Sequence, residues 1–155
     1  MTKSPLLLIL TLFLLAACSS GNRKTQLEDW EFSYDGKSWE EVTVPHSCNA
    51  VDGRSAAYYR GEVHYRRTIH ANPSKPAFLL FEGAAQAAQV YVNGQLVRSH
   101  KGGYTPFLVP LKGLLQAGEN QVEVVCDNQM DVEMIPVHSD FNKNNGLHNP
   151  VSLLE

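Results

Sequence analysis

Beyond residue 26 the chain alternates in hydrophobicity and does not wind. Trp30, Phe32 and Tyr34 are separated by Glu31 and Ser33, the period of two expected from a strand with one buried face. Asp35-Gly36 makes a turn, and Trp39, Val42 and Val44 mark a second strand that Pro45 stops. Val63, Tyr65 and Ile69 recur across residues 58–70, which read as a strand although Arg66-Arg67 breaks the alternation, and Asn72-Pro73 ends it. Phe78-Leu79-Leu80-Phe81 is a continuous apolar run of strand length, the pattern of a strand covered on both faces. Val90-Tyr91-Val92, Asn93-Gly94 and Leu96-Val97 spell a β-hairpin whose central pair supplies the two positive-φ positions of a type I′ turn. After the Gly118-Glu119-Asn120 turn, Val122, Val124 and Cys126 alternate once more. No helical period lasts the roughly 11 residues of a mean helix.

Between these strands lie two kinds of connection. Residues 102–107 form a corner: Gly102-Gly103 permits a sharp bend, Pro106 blocks helix, and Tyr104 and Phe107 offer anchors for a core. Residues 47–57 are poor in large apolar side chains and read as a long loop, which marks them as one wall of any site. Residues 84–88 are small and read as loop or irregular strand. Many short strands divided by Gly, Pro and Asn turns predict one all-β domain, a β-sandwich with Greek-key or jelly-roll connections.

The N-terminus changes the picture of location. Lys3 followed by the apolar residues 6–17 has the length of a signal-peptide core and is short for a membrane span. Leu15-Ala16-Ala17-Cys18 resembles the bacterial lipobox, so residues 1–17 are expected to be removed and Cys18 to carry lipid. Residues 18–26 then serve as a tether, and residues 27–155 form the folded domain. The expected location is the bacterial cell envelope, periplasmic or outer-surface, with the membrane reached through the lipid alone. Cys48 and Cys126 remain as a potential pair, although a buried thiol in the strand at Cys126 is the stronger reading. A formal net charge of −3 without a basic block argues against nucleic acid as a partner.

One stretch carries more than fold. Residues 90–107, VYVNGQLVRSHKGGYTPF, resemble the signature of the sugar-binding domain of glycoside hydrolase family 2, which includes β-galactosidases, β-glucuronidases and β-mannosidases. The likeness extends to Val44-Pro45-His46, Tyr58-Tyr59-Arg60-Gly61, His64-Tyr65-Arg66-Arg67, Phe81-Glu82-Gly83, Gly118-Glu119-Asn120, and Asp140-Phe141-Asn142 ahead of Gly146-Leu147. The resemblance implies a galactose-binding-like jelly roll that recognises carbohydrate and packs on a catalytic barrel. Asp140 matches the family aspartate that reaches towards the substrate or its bound ion. Asp52 stands in the loop that in the family approaches the sugar, and Tyr59, with Tyr58 and Tyr104, offers a ring for stacking. Each also has a plainer reading: turn cap for Asp140, solvated loop for Asp52, core tyrosine for Tyr59. The chain departs from the family at Asn144-Asn145, where a glycine is common, and at His148-Asn149, where an arginine is common.

Glycoside hydrolysis needs two opposed carboxyl groups, and in the family both come from the barrel, one within an Asn-Glu dipeptide. This sequence contains no Asn-Glu, so no catalytic residue is assigned and the chain is expected to be inactive alone. His46, His64, His70, His100, His138 and His148 are scattered without metal-ligand spacing; no metal or other cofactor is expected. The leading expectation is a non-catalytic carbohydrate-binding domain. The alternatives are an assembly module, docking onto a separate catalytic chain or onto its own copies, and a fragment of a disrupted glycosidase gene.

Overall fold

The computed structural model describes residues 23–50, 59–129 and 143–155. Ten strands follow in order: β1 (Lys24–Gln26), β2 (Asp29–Ser33), β3 (Glu40–Thr43), β4 (Glu62–His70), β5 (Phe78–Phe81), β6 (Ala87–Val92), β7 (Gln95–Lys101), β8 (Phe107–Pro110), β9 (Glu119–Asp127) and β10 (Val151–Leu154). They pair into a four-stranded sheet, β1-β10-β5-β8, and a six-stranded sheet, β3-β2-β4-β9-β6-β7. From β4 onward the chain keeps crossing between sheets, with β4, β6, β7 and β9 in the larger and β5, β8 and β10 in the smaller. That is the all-β sandwich expected from the alternation, and the described residues contain no helix.

The spine is the β4–β9 ladder, nine pairs from Glu62↔Asp127 to His70↔Glu119. It drops Val63, Tyr65, Val122, Val124 and Cys126 into the core together, against Leu79, Phe81 and Val109 of the other sheet; all are 0% exposed. Each such aliphatic side chain contributes about 1.5–3 kcal/mol by leaving water. Arg66 keeps the alternation by pointing outward, where it forks onto Glu31 at 2.8 and 2.9 Å and lies 4.0 Å over the Trp39 ring, whereas Arg67 breaks it from an inward position, half-buried with its guanidinium 5.7 Å from the Trp30 ring.

The hairpin forms as its turn residues demand. Asn93 and Gly94 take φ of 51° and 78°. Asn93 also donates to Leu114 O (3.0 Å) and to Asn120 Oδ1 (2.9 Å), while the buried Asn120 accepts from Gln116 N (2.8 Å) and donates to Gln116 O (3.0 Å). One turn residue thereby clamps the β8–β9 connection as well.

Several expectations need correction. Tyr34 does not continue the buried face of β2: the strand ends at Ser33, whose buried hydroxyl receives the Gly36 amide (2.9 Å), so the chain turns and Tyr34 is left 48% exposed. The apolar run 78–81 is covered on one face only, with Leu79 and Phe81 buried while Phe78 stays exposed. Tyr104 is not a core anchor: the corner buries Phe107 and leaves Tyr104 69% exposed. The strand expected over residues 58–70 begins at Glu62, where the ladder with β9 starts. The reading of Cys126 as a buried thiol holds, by contrast: no disulfide joins it to Cys48, it is fully buried, and burial pushes its thiol pKa well above the ordinary range.

Candidate functional site

At one end of the sandwich the connections β2–β3, β3–β4, β5–β6, β7–β8 and β9–β10 come together. The chain leaving β3 runs inward instead of out to solvent, with Val44 N donating to Glu28 O, His46 N to Leu147 O and Cys48 N to Asn145 O at 2.8–3.0 Å. Residues 44–48 and 143–147 thus lie side by side as a strap across the mouth of the core. Gly146 is required there: its φ is 118°, and a Cβ would run into the Tyr65 hydroxyl and sit 2.9 Å from His46 O.

Three asparagines tie this strap to the sheets. Asn49 donates to Lys143 O (2.8 Å) and accepts from Asn145 N (3.0 Å). Asn128 accepts from Gly61 N (2.9 Å) and Asn145 Nδ2 (3.2 Å) and donates to Tyr59 O (3.0 Å) and Lys143 O (3.2 Å). Asn145 Nδ2 also donates to Gly61 O at 2.8 Å. All three are buried, at 6%, 1% and 0% exposure, and apart from the Asn145–Asn128 side-chain bond each of these bonds satisfies a backbone group. The knot holds residues 49, 59–61, 128 and 143–145, the roots of the segments 51–58 and 130–142.

Asp52 and Asp140 belong to those two segments and lie outside the described residues, as does Cys18. What the structure does fix is that the chain enters and leaves both segments through one knot. Tyr59 stands at that knot. Its ring is half-buried and edge-on to Tyr34 (5.0 Å between centroids), and its hydroxyl donates to Glu62 O (2.8 Å). Burial raises its pKa. Beneath the tyrosines, Phe32 packs against Tyr34, His46 and Tyr65 at 4.9–5.2 Å. His46 Nδ1 lies 2.8 Å from the Tyr65 hydroxyl. Burial lowers the His46 pKa and drives that of Tyr65 far up, so a neutral imidazole accepting the phenol proton fits both. His46 is a structural residue.

On the other side of the strap, Tyr104 tilts over His148 at 5.2 Å. The His148 pKa is lowered by burial, against a smaller opposing effect of its hydrogen bond to the Gly103 backbone. For His46 and His148 alike the folded pKa lies below the ordinary 6.5, so the unfolded chain binds the extra proton more readily. Their contribution to stability is complete above about pH 6.5 and is lost as pH falls further towards the folded values. Urea midpoints measured from pH 7.5 to 5 should therefore decline, and the double variant His46→Gln, His148→Gln should decline less.

Among the described residues no three His, Cys, Asp or Glu side chains converge as a metal site. An open concavity along β2, β3 and β4 is lined by Asp29, Glu31, Glu41, Arg66 and Arg67, but no residue of the knot lines it, and Glu31 already holds Arg66. The hydrogen-bonding role of these three asparagines at the loop end is what sequence reading passed over. Asparagine in turn-rich sequence is commonplace, and nothing local distinguishes these three.

Residues 23–155 match the family described as glycosyl hydrolases family 2, sugar binding domain. The chain belongs to glycoside hydrolase family 2. Within it, this sandwich is 30% identical over 135 residues to a β-glucuronidase of Bacteroides fragilis and 31% identical over 121 residues to a putative β-glucuronidase of Formosa agariphila. Those alignments take in 81% and 74% of this chain but 19% and 15% of the two relatives. The crystal structure of a putative β-galactosidase from Bacteroides fragilis superposes with a TM-score of 0.80 at 32% identity, over 86% of this chain and 23% of that one. The family-2 sandwich therefore spans less than a quarter of the length of these relatives.

Proposed function

We propose that this family-2 sandwich recognises a β-glycoside, of the kind named in its β-glucuronidase and β-galactosidase relatives, through its knotted loop end, without catalysing hydrolysis itself. The observation that supports this most is the asparagine knot, which roots the Asp52 and Asp140 segments at one place, beside Tyr59 and the Tyr34 ring. A tied floor at which both segments begin and end is what a site built from their carboxylates and a neighbouring aromatic edge requires. Asp140 is the carboxylate most suited to hydrogen-bond sugar hydroxyls, with Asp52 across from it in sequence order and Tyr59 at the wall.

The test is binding of methyl β-glycosides by the purified protein, with aryl β-glycosides offered as substrates in parallel. Asp140→Asn should weaken binding at least several-fold, and no turnover should be seen, because the opposed carboxyl pair is missing from this chain. Turnover that survives repurification and is lost in Asp140→Asn would overturn the non-catalytic reading, and binding unaffected by Asp140→Asn and Asp52→Asn would overturn the site.

A second reading, docking onto a catalytic polypeptide or onto another copy, is favoured by a different face. The outer side of the four-stranded sheet presents Phe78 and Leu108 at 38% and 48% exposure, next to Leu80 and Pro110. Sedimentation of the protein alone and mixed with a family-2 barrel separates this from sugar binding. For location we propose lipid anchoring at Cys18: Cys18→Ser should move the protein from the membrane fraction to the soluble one, and retention at the membrane would contradict the lipobox.

A further inference from the structure

The chain enters the domain at the end of the sandwich away from the knot. Arg23 and Glu155 exchange both backbone hydrogen bonds there, at 2.7 and 2.9 Å. The next row of the smaller sheet runs Lys24, Leu154, Phe78, Pro110 across all four strands. Phe78 follows the β4–β5 connection (71–77) and Pro110 precedes the β8–β9 connection (111–118), so both connections lie at this end, and Asn93 of the hairpin turn reaches them through Leu114 O. The nine residues of β4, from Glu62 beside the knot to His70 here, set the two ends about 26 Å apart.

Tether length and charge together say what meets this end. Four residues, 19–22, stand between Cys18 and Arg23, and even fully extended that stretch reaches about 18 Å, less than the length of β4. The charged residues of the two connections are both lysines, Lys75 and Lys112. Both are exposed, as is Arg23, and none of the three joins the described ion pairs. Glu119 and Glu155, at strand ends, are the acids beside them. At the other end the balance is reversed: the segments 51–58 and 130–142 carry Asp52, Asp131, Glu133 and Asp140 against Arg54. An anionic surface therefore attracts one end and repels the other, and its field fades over about 8 Å at physiological salt, far less than the length of the domain.

We propose that the end opposite the knot rests on the anionic lipid surface that holds the Cys18 lipid, so that the knotted loop end points away from the bilayer. The sugar then arrives from the aqueous side and is not the headgroup of a glycolipid in the anchoring leaflet. This inference rests on lipid anchoring at Cys18 and on the loop end as the sugar site, and adds how the site is oriented to the membrane.

The experiment places the lipidated protein in nanodiscs of phosphatidylglycerol and phosphatidylcholine that contain a small share of gadolinium-chelating lipid, and follows the amide signals. Those of Ser74, Lys75, Lys112, Gly113 and Gly94 should broaden several-fold more than those of Gly36, Gly61 and Gly102 near the knot. The double variant Lys75→Glu, Lys112→Glu should stay bound through its lipid but lose most of that contrast, and discs of phosphatidylcholine alone should do the same to wild type. Equal broadening at both ends of wild type, or more at the knot, overturns the orientation and leaves the Cys18 anchor standing. Broadening strongest at Leu80 and Leu108 means that the domain lies on its four-stranded sheet, and overturns it as well. A contrast that survives charge reversal overturns the anionic surface as partner, since the tether alone would then set the orientation. Mature protein without lipid on Cys18, recovered from the soluble fraction, overturns the anchor and this inference together.

Discussion

Gly103→Val is expected to destabilise the sandwich by about 3 kcal/mol or more, whereas Gly94→Asn should cost about 1 kcal/mol or less. Both glycines sit in turns, and their surroundings decide the difference. A Cβ on Gly103 would drive into the backbone carbonyl oxygen of Ala85, with the Ala85 carbonyl carbon only 3.2 Å away. Ala85 is 0% exposed, and its own amide donates to Gly146 O, so it has nowhere to retreat. The restriction is steric alone, since Gly103 is not among the residues with positive φ. Gly94 has the opposite character: its φ is +78°, but nothing lies within 4 Å of a Cβ there, and asparagine accepts that backbone more readily than most residues. Urea denaturation of both variants checks the pair. Equal midpoints would mean that the 102–107 corner can lift off the 84–86 segment, contrary to its close packing here.

The second large effect is expected at Asn128. Its side chain serves four partners at once: Gly61 N, Asn145 Nδ2, Tyr59 O and Lys143 O. Asn128→Leu preserves volume and burial but strands these groups in a place water does not reach, each at a cost of about 1–3 kcal/mol less whatever relaxation recovers. A loss on the order of 3–5 kcal/mol follows. Proteolysis within residues 51–58 and 130–142 should accelerate together, as both are rooted in the same knot. A midpoint within about 0.5 kcal/mol of wild type would show that water takes over the asparagine's bonds and that the knot does not fix the loop end.

How far these features were legible in the sequence depends on how local their causes are. The Asn93-Gly94 hairpin and the alternation in β4 and β9 were readable because turn chemistry and a period of two are decided within a few residues. The limits of β2 were misread because Ser33 looks like any polar residue opposite a buried face, and only its capping of the 35–38 turn shows why the strand stops there. Tyr104 was misassigned for a related reason. Size and aromaticity suggest a core anchor, yet the corner can bury only one of its two aromatics, and Phe107 takes the place, stacked on Phe81 at 4.8 Å. The knot was invisible, since Asn49 meets Asn145 across 96 residues and an asparagine's value depends wholly on which carbonyls and amides the fold delivers to it. Of the candidate site residues, Tyr59 is placed at the knot, and Asp52 and Asp140 are known by the roots of their segments.

The central claim is that the knotted loop end, and no other surface of this family-2 sandwich, meets the sugar. Amide chemical shifts followed during titration with methyl β-glucuronide and methyl β-galactoside test it most directly. The account predicts that the shifts concentrate at Asn49, Tyr59, Gly61, Asn128 and residues 143–147, together with the 51–58 and 130–142 segments. Perturbations confined instead to the outer face of the four-stranded sheet, around Phe78 and Leu108, or to the β2–β3–β4 concavity would contradict it.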